Sequence, residues 1–192
     1  MNLFTNCTNF CYMKKLLFLF IILIVALHGI AQPVTAIEML DMLQCKSNAC
    51  VSAMLIPKGF EAGNKNETED FSVYEYYSKV SEPYDDNPWV VLPNRVEYSL
   101  TGKSYIVTLM FYTGSRHIVD GIIADFGTRG FVPVTDTLTM TGDNLTMEFT
   151  SPQYPKVHLV LTQMKKEVNE QKYTEYAFNL KLLPEDKVSA GK

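Results

Sequence analysis

The sequence predicts an α+β domain: an antiparallel sheet of about seven strands with helices packed on one face. Three observations predict it. Segments of helical periodicity precede two separate runs of strand-like segments, an order that lets helices cover a sheet instead of alternating with its strands. The turns at Gly102 and Gly142 are short, which suits antiparallel neighbours and not the long crossovers of a parallel sheet. The order helix, strands, helix, strands also suggests a tandem duplication, because Gly59-Phe60 and Gly130-Phe131 follow the two helical segments in the same way.

Ahead of the domain stands Lys14 to Gln32. Two lysines, the apolar run Leu16 to Leu27 and the small residues Gly29 and Ala31 make a charged n-region, an h-region and a cleavage site. The run stops at His28, short of the ~20 apolar residues that cross a bilayer. Residues 1–31 are therefore expected to leave as leader and signal peptide. Met1 to Tyr12 carries no charge and reads either as lying upstream of a natural start at Met13 or as an extended n-region; in both readings Cys7 and Cys11 leave with the leader. A lipoprotein would need a cysteine where Gln32 stands, so the mature protein is expected to be free, with no stable membrane span. The single domain is then 32–183, followed by a polar tail at 184–192.

The formal net charge of −4 becomes two units more negative once Lys14 and Lys15 are removed. Nucleic acid is a poor partner for such a chain, since phosphate neutralisation needs clustered Lys and Arg. The pair Lys165-Lys166 is bracketed by Glu167 and Glu170 and reads as a solvated turn. Cys45 and Cys50 remain after cleavage, in a compartment where disulfides persist. Five residues of continuous helix would rise about 7.5 Å, beyond the ~7 Å Cα separation a bridge tolerates. A bridge therefore requires a turn at Lys46-Ser47-Asn48, and it reads as a structural clip.

The first helix starts at a capping box, Thr35 with Glu38, and Val34 with Met39 can close a hydrophobic staple across it. Ile37, Leu40 and Leu43 follow at helical spacing. Ser47 or Asn48 caps a second helix carrying Cys50, Val51, Met54 and Leu55, ended by Pro57 and Gly59. Glu61 to Asp70 reads as a loop, Phe71 to Lys79 as a strand, and Ser81 to Asn94, with three prolines and Trp89, as a long specialised loop. Arg95 to Leu100 and Tyr105 to Tyr112 are strands around the turn at Gly102, the second apolar on both faces and hence central. A helix over Ile118 to Phe126 is capped by Ser115 and closed by Gly127. Strands follow at Thr137 to Thr141, Leu145 to Thr150, Val157 to Gln163 and Thr174 to Leu182, the last two joined by a charged turn, Lys165 to Lys172.

Familiar catalytic patterns are incomplete here. Gly102-Lys103-Ser104 resembles the end of a phosphate loop, but Glu97 occupies the position of its first glycine. Asp125-Phe126-Gly127 reads as a helix end, because the chain is too short for a kinase. His117 and His158 have no histidine or cysteine at ligand spacing, and Asp85-Asp86-Asn87 lacks the glycine and distal glutamate of a calcium loop. No metal or cofactor is expected. A hydrolase using an unrecognised carboxylate or histidine site stands as the alternative function.

The aromatic residues point elsewhere. Tyr74, Tyr76, Tyr84 and Trp89 fall within one strand and the segment after it, and such side chains favour recognition surfaces. They are the candidate binding residues of a non-enzymatic module that holds a protein or an envelope component; the bland reading has half of them filling the core. The leader from Met13-Lys14-Lys15 to Ala31-Gln32, the segment Leu43-Gln44-Cys45 to Cys50-Val51 and the end Lys58-Gly59-Phe60 resemble small exported proteins typical of Bacteroidota. That resemblance implies a periplasmic or secreted location and no known activity. The tandem layout is also similar to that of secreted β-lactamase inhibitor proteins, whose cysteine spacing this chain does not share, so no inhibitory activity is carried over.

Overall fold

The computed structural model describes residues 33–101, 106–134 and 138–183. The expected leader, the turn at Gly102-Lys103-Ser104, the strand start at Thr137 and the polar tail lie outside the described residues. Among the described residues a nine-stranded, wholly antiparallel sheet accompanies three α-helices, an α+β fold. The sheet is larger than the seven strands expected.

Helix α1 (Ala36–Gln44) begins at the capping box. Glu38 Oε2 accepts from the Thr35 N–H at 2.9 Å, while Thr35 Oγ1 accepts from the Glu38 N–H at 3.4 Å. Val34 and Met39 are both buried. Helix α2 (Asn48–Leu55) follows after a turn, and Cys45 and Cys50 are bridged across it with their Cα atoms 5.7 Å apart. Ser47 occupies the N-cap without a side-chain bond. A 3-10 turn, Ile56–Lys58, then ends at Gly59, whose φ of 86° suits glycine. Clipping so short a loop stabilises by about 2 kcal/mol. Replacing both Cys45 and Cys50 by alanine should lower the denaturant midpoint by the equivalent of that amount.

The strands are β1 (Phe60–Glu67), β2 (Phe71–Tyr84), β3 (Asn87–Thr101), β4 (Ile106–Thr113), β5 (Val132–Pro133), β6 (Thr139–Thr141), β7 (Asn144–Thr150), β8 (Val157–Val168) and β9 (Gln171–Leu182), with helix α3 (Arg116–Thr128) between β4 and β5. They lie in the order β1-β2-β3-β4-β9-β8-β7-β5, and β6 also pairs with β7. The order reads outward symmetrically from the central β4–β9 pair. Each half is entered in the same way: Gly59 and Gly130 both have positive φ, and Phe60 and Phe131 behind them are both buried.

Buried side chains of all three helices, Met39, Val51 and Phe126 among them, join alternate strand positions such as Tyr76, Val96, Phe111 and Phe178 in one cluster. Strand alternation turns the intervening residues Tyr77, Arg95, Tyr112 and Ala177 to the other side of the sheet. Tyr98, fully buried, donates its hydroxyl to the Cys45 carbonyl and ties the clipped elbow to β3.

Several boundaries differ from those expected. Glu61 to Asp70 is not a loop: its first part is edge strand β1, held to β2 by main-chain pairing from Phe60 opposite Ser78 to Glu67 opposite Ser72. Only Phe60 of that strand is buried, and a charged edge discourages further pairing. Ser81 to Asn94 is likewise the distal half of a long hairpin, its prolines accommodated by register shifts between Tyr77 and Ser81 and between Pro83 and Tyr84. The charged turn shrinks to Asn169 and Glu170, at φ 49° and 65°, as a two-residue hairpin demands. Helix α3 passes Gly127 and stops at Thr128.

Candidate functional site

Strand β4 ends at Thr113, while the β2–β3 and β8–β9 hairpins both run on past it. The distal β2–β3 hairpin closes over the space that β4 leaves. Tyr84, 3% exposed, lies against Gly114, where an added Cβ would come within 2.2 Å of its ring. It meets Tyr173 of β9 edge-on, with ring centroids 4.8 Å apart. Val90 completes this small second cluster, with Leu92 packed against it.

The tip is pinned by its polar residues. Asp85 accepts the Arg116 N–H at the start of α3, where the N-cap Ser115 makes no side-chain bond. Asp86 accepts the Thr174 N–H at 3.0 Å and the Thr174 hydroxyl, and lies 3.4 Å from Lys165 Nζ. Asn87 donates to the Lys172 carbonyl at 2.9 Å and to Gln171 Oε1 at 3.1 Å. The Asp85-Asp86-Asn87 turn is therefore a latch.

Burial works to raise the Asp86 carboxyl, but the bonds from Thr174 and the nearby Lys165 outweigh it and hold it below the usual carboxylate range. A depressed carboxyl stabilises fully above its unfolded pKa, about 3.9, and that contribution is lost as pH falls through the lower folded value. Thermal melts at decreasing pH should show this acid loss in the wild type. They should show less of it in Asp86→Asn.

Opposite the docked residues, alternation leaves Trp89 85% exposed and Val91 51% exposed, with Pro83 directly across from Val91. Of the four aromatic candidates, Trp89 alone stands in solvent. Tyr84 is buried as described, and Tyr76 is buried on the core face, bonded to Ser52 at 2.9 Å and donating to Asn48. Tyr74 is half-buried near the β1 edge and donates to Glu67. The expected tyrosine patch does not form, because the strand period turns Tyr74 and Tyr76 towards the core.

Sequence reasoning missed a second feature. At the fork of the two hairpins is a cavity of about 230 Å³, lined by Tyr77, Tyr84 and Tyr173 with Arg95, Lys166 and Glu175. Arg95 faces its own partners, with its guanidinium 4.0 Å over the Tyr112 ring and 3.2 Å from Glu97. Burial first, then the Glu175 charge, push the Tyr84 phenol well above its ordinary pKa. These residues come from four strands, so no local spacing marks them. A larger apolar hollow of about 590 Å³ opens beneath the clipped elbow. Its charged lining residue is Lys46, and the rest is mostly hydrocarbon.

His158 Nε2 lies 3.5 Å from Glu148 Oε2, and both side chains are about two-fifths exposed. His117 is exposed at the start of α3. Among the described residues no group of three or more His, Cys, Asp or Glu side chains is placed to hold a metal, and no helix is long and apolar enough to cross a membrane. Comparison with protein-family models, with curated proteins and with solved structures finds no match to this chain.

Proposed function

We propose that the protein is an exported, non-enzymatic module that holds a protein partner through the distal β2–β3 hairpin, with Trp89 as the anchor. One observation carries this reading: the Trp89 side chain is 85% exposed on a hairpin whose tip is latched at Asp85, Asp86 and Asn87. A large aromatic side chain on a rigid support loses little freedom on binding and is the residue type that dominates interface energetics. Val91 and Pro83 beside it extend the apolar contact. In this reading the helices cover one face of the sheet and leave the other available, and the symmetric strand order reflects a tandem duplication. Periplasmic or secreted location draws support from the disulfide together with the leader-like Lys14 to Gln32.

A hydrolase built on His158 and Glu148 is the weaker reading. Both side chains are open to solvent over about two-fifths of their surface and neither lines the fork cavity, so water has access to any reacting centre there. A photo-crosslinking amino acid placed at position 89 in living cells tests the binding reading. It should yield a discrete adduct, and the same group at Phe71, 41% exposed elsewhere on the sheet, should not. Equal labelling at both positions, or none at either, would contradict the assignment.

A further inference from the structure

We infer that the apolar hollow beneath the clipped elbow binds a single-chain amphiphile with an anionic head, a free long-chain carboxylate, and that Lys46 receives the head group. The site is separate from the distal hairpin and does not rest on that reading: the hollow lies at the end of β3 that carries Leu100 and Thr101, while Trp89 stands near its start. Leu43, Leu100, Val107 and Leu182 line it together with Cys45, around a volume of about 590 Å³, inside the range of small-molecule pockets. Hydrocarbon walls around such a space leave contacts unmade that an apolar guest supplies. A cavity of about 150 Å³ accepts benzene, so this one has room for one saturated chain of roughly 12 to 16 carbons. That volume suits a lone chain better than a diacyl lipid.

Charge decides the head group. Among the described lining residues Lys46 alone is charged, and no carboxylate stands there to repel an anion. Lys46 is exposed and makes no ion pair or hydrogen bond among the described residues, whereas Lys58, Lys65, Lys79, Lys165 and Lys166 each lie beside a carboxylate. Its backbone is fixed. The Cys45–Cys50 bridge spans the turn, the Cys45 N–H donates to the Met42 carbonyl at 3.1 Å, and the Cys45 carbonyl takes the Tyr98 hydroxyl. A cation mounted rigidly at the rim of an apolar hollow is pre-organised for a carboxylate whose chain lies against the walls. A cationic amphiphile would meet Lys46 head-on, and a neutral one would leave it unpaired.

Isothermal titration of the folded chain with octanoate, decanoate and dodecanoate, each kept below its micelle concentration, tests this. One saturable site is expected, with affinity rising about fourfold for each methylene buried. Decanoate should shift the amide NMR signals of Leu43, Lys46, Leu100 and Val107. Lys46→Ala should weaken decanoate by about fivefold, the upper end for an exposed ion pair, and leave decanol unchanged. Thr101→Trp, at the half-buried rim, should abolish both. Trp89→Ala should change neither, so loss of partner capture in that variant speaks only to the hairpin reading. Absent or non-saturable binding, affinity independent of chain length, shifts confined to other parts of the sheet, equal decanoate affinity in Lys46→Ala, full retention in Thr101→Trp, or equal binding of decyltrimethylammonium would each overturn the inference. Capture of the chain by phosphatidylglycerol vesicles without binding of free decanoate would overturn the free carboxylate in favour of a membrane lipid.

Discussion

Tyr84→Ala is expected to cost about 3–5 kcal/mol, the range for removing a buried aromatic ring, and to release the distal hairpin from the fork. The ring is 3% exposed, meets Tyr173 edge-on and occupies the space above Gly114. For a chain of this size the loss corresponds to a fall in Tm on the order of 10 °C. Gly114→Ala attacks the same contact from the other side. Its Cβ would fall 2.2 Å from the Tyr84 ring, and forced overpacking costs roughly 1–3 kcal/mol. The two substitutions should not add: once Tyr84 is alanine, the new methyl has nothing to strike, and the double variant should be little worse than Tyr84→Ala alone. Additive losses in a double-mutant cycle would show that the hairpin does not dock where described. Gly63 is a useful contrast, because it lies exposed in edge strand β1 and a Cβ there meets the ring of Tyr77, which is only half-buried. Gly63→Ala should be the milder change.

Trp89→Ala should have the opposite profile. The side chain touches little of its own chain at 85% exposure, so stability should change by no more than about 0.5 kcal/mol. Affinity for the partner trapped by crosslinking at position 89 should fall by about 2 kcal/mol or more, roughly thirtyfold, as for a hot-spot residue. Equilibrium binding and thermal melts on the same preparation check both halves. A variant that binds normally removes Trp89 from the site; one that melts early shows the side chain to be structural.

Local chemistry was legible and long-range assembly was not. Thr35 and Glu38, Cys45 and Cys50, and the glycines ahead of Phe60 and Phe131 each act within a few residues, so their spacing carried the answer. Strand β1 and the distal hairpin escaped notice because residues 61–67 and 81–94 are polar or proline-rich and are held by main-chain pairing that leaves no apolar pattern. Trp89 stood out as the single tryptophan of the chain. Tyr84 looked equivalent to it, and the difference depends on Gly114 and Tyr173, which lie far away in the chain. The fork residues Arg95, Lys166 and Glu175 meet only because β9 joins β4 at the centre of the sheet.

Because Trp89 is the only tryptophan, its fluorescence reports on the proposed anchor directly. In the isolated protein the emission should be that of a solvated indole, freely quenched by acrylamide, and binding of the crosslinked partner's purified form should shift it to the blue and shield it. A blue-shifted, unquenchable emission before any partner is added, or one that stays open to quencher in the complex, would contradict the account.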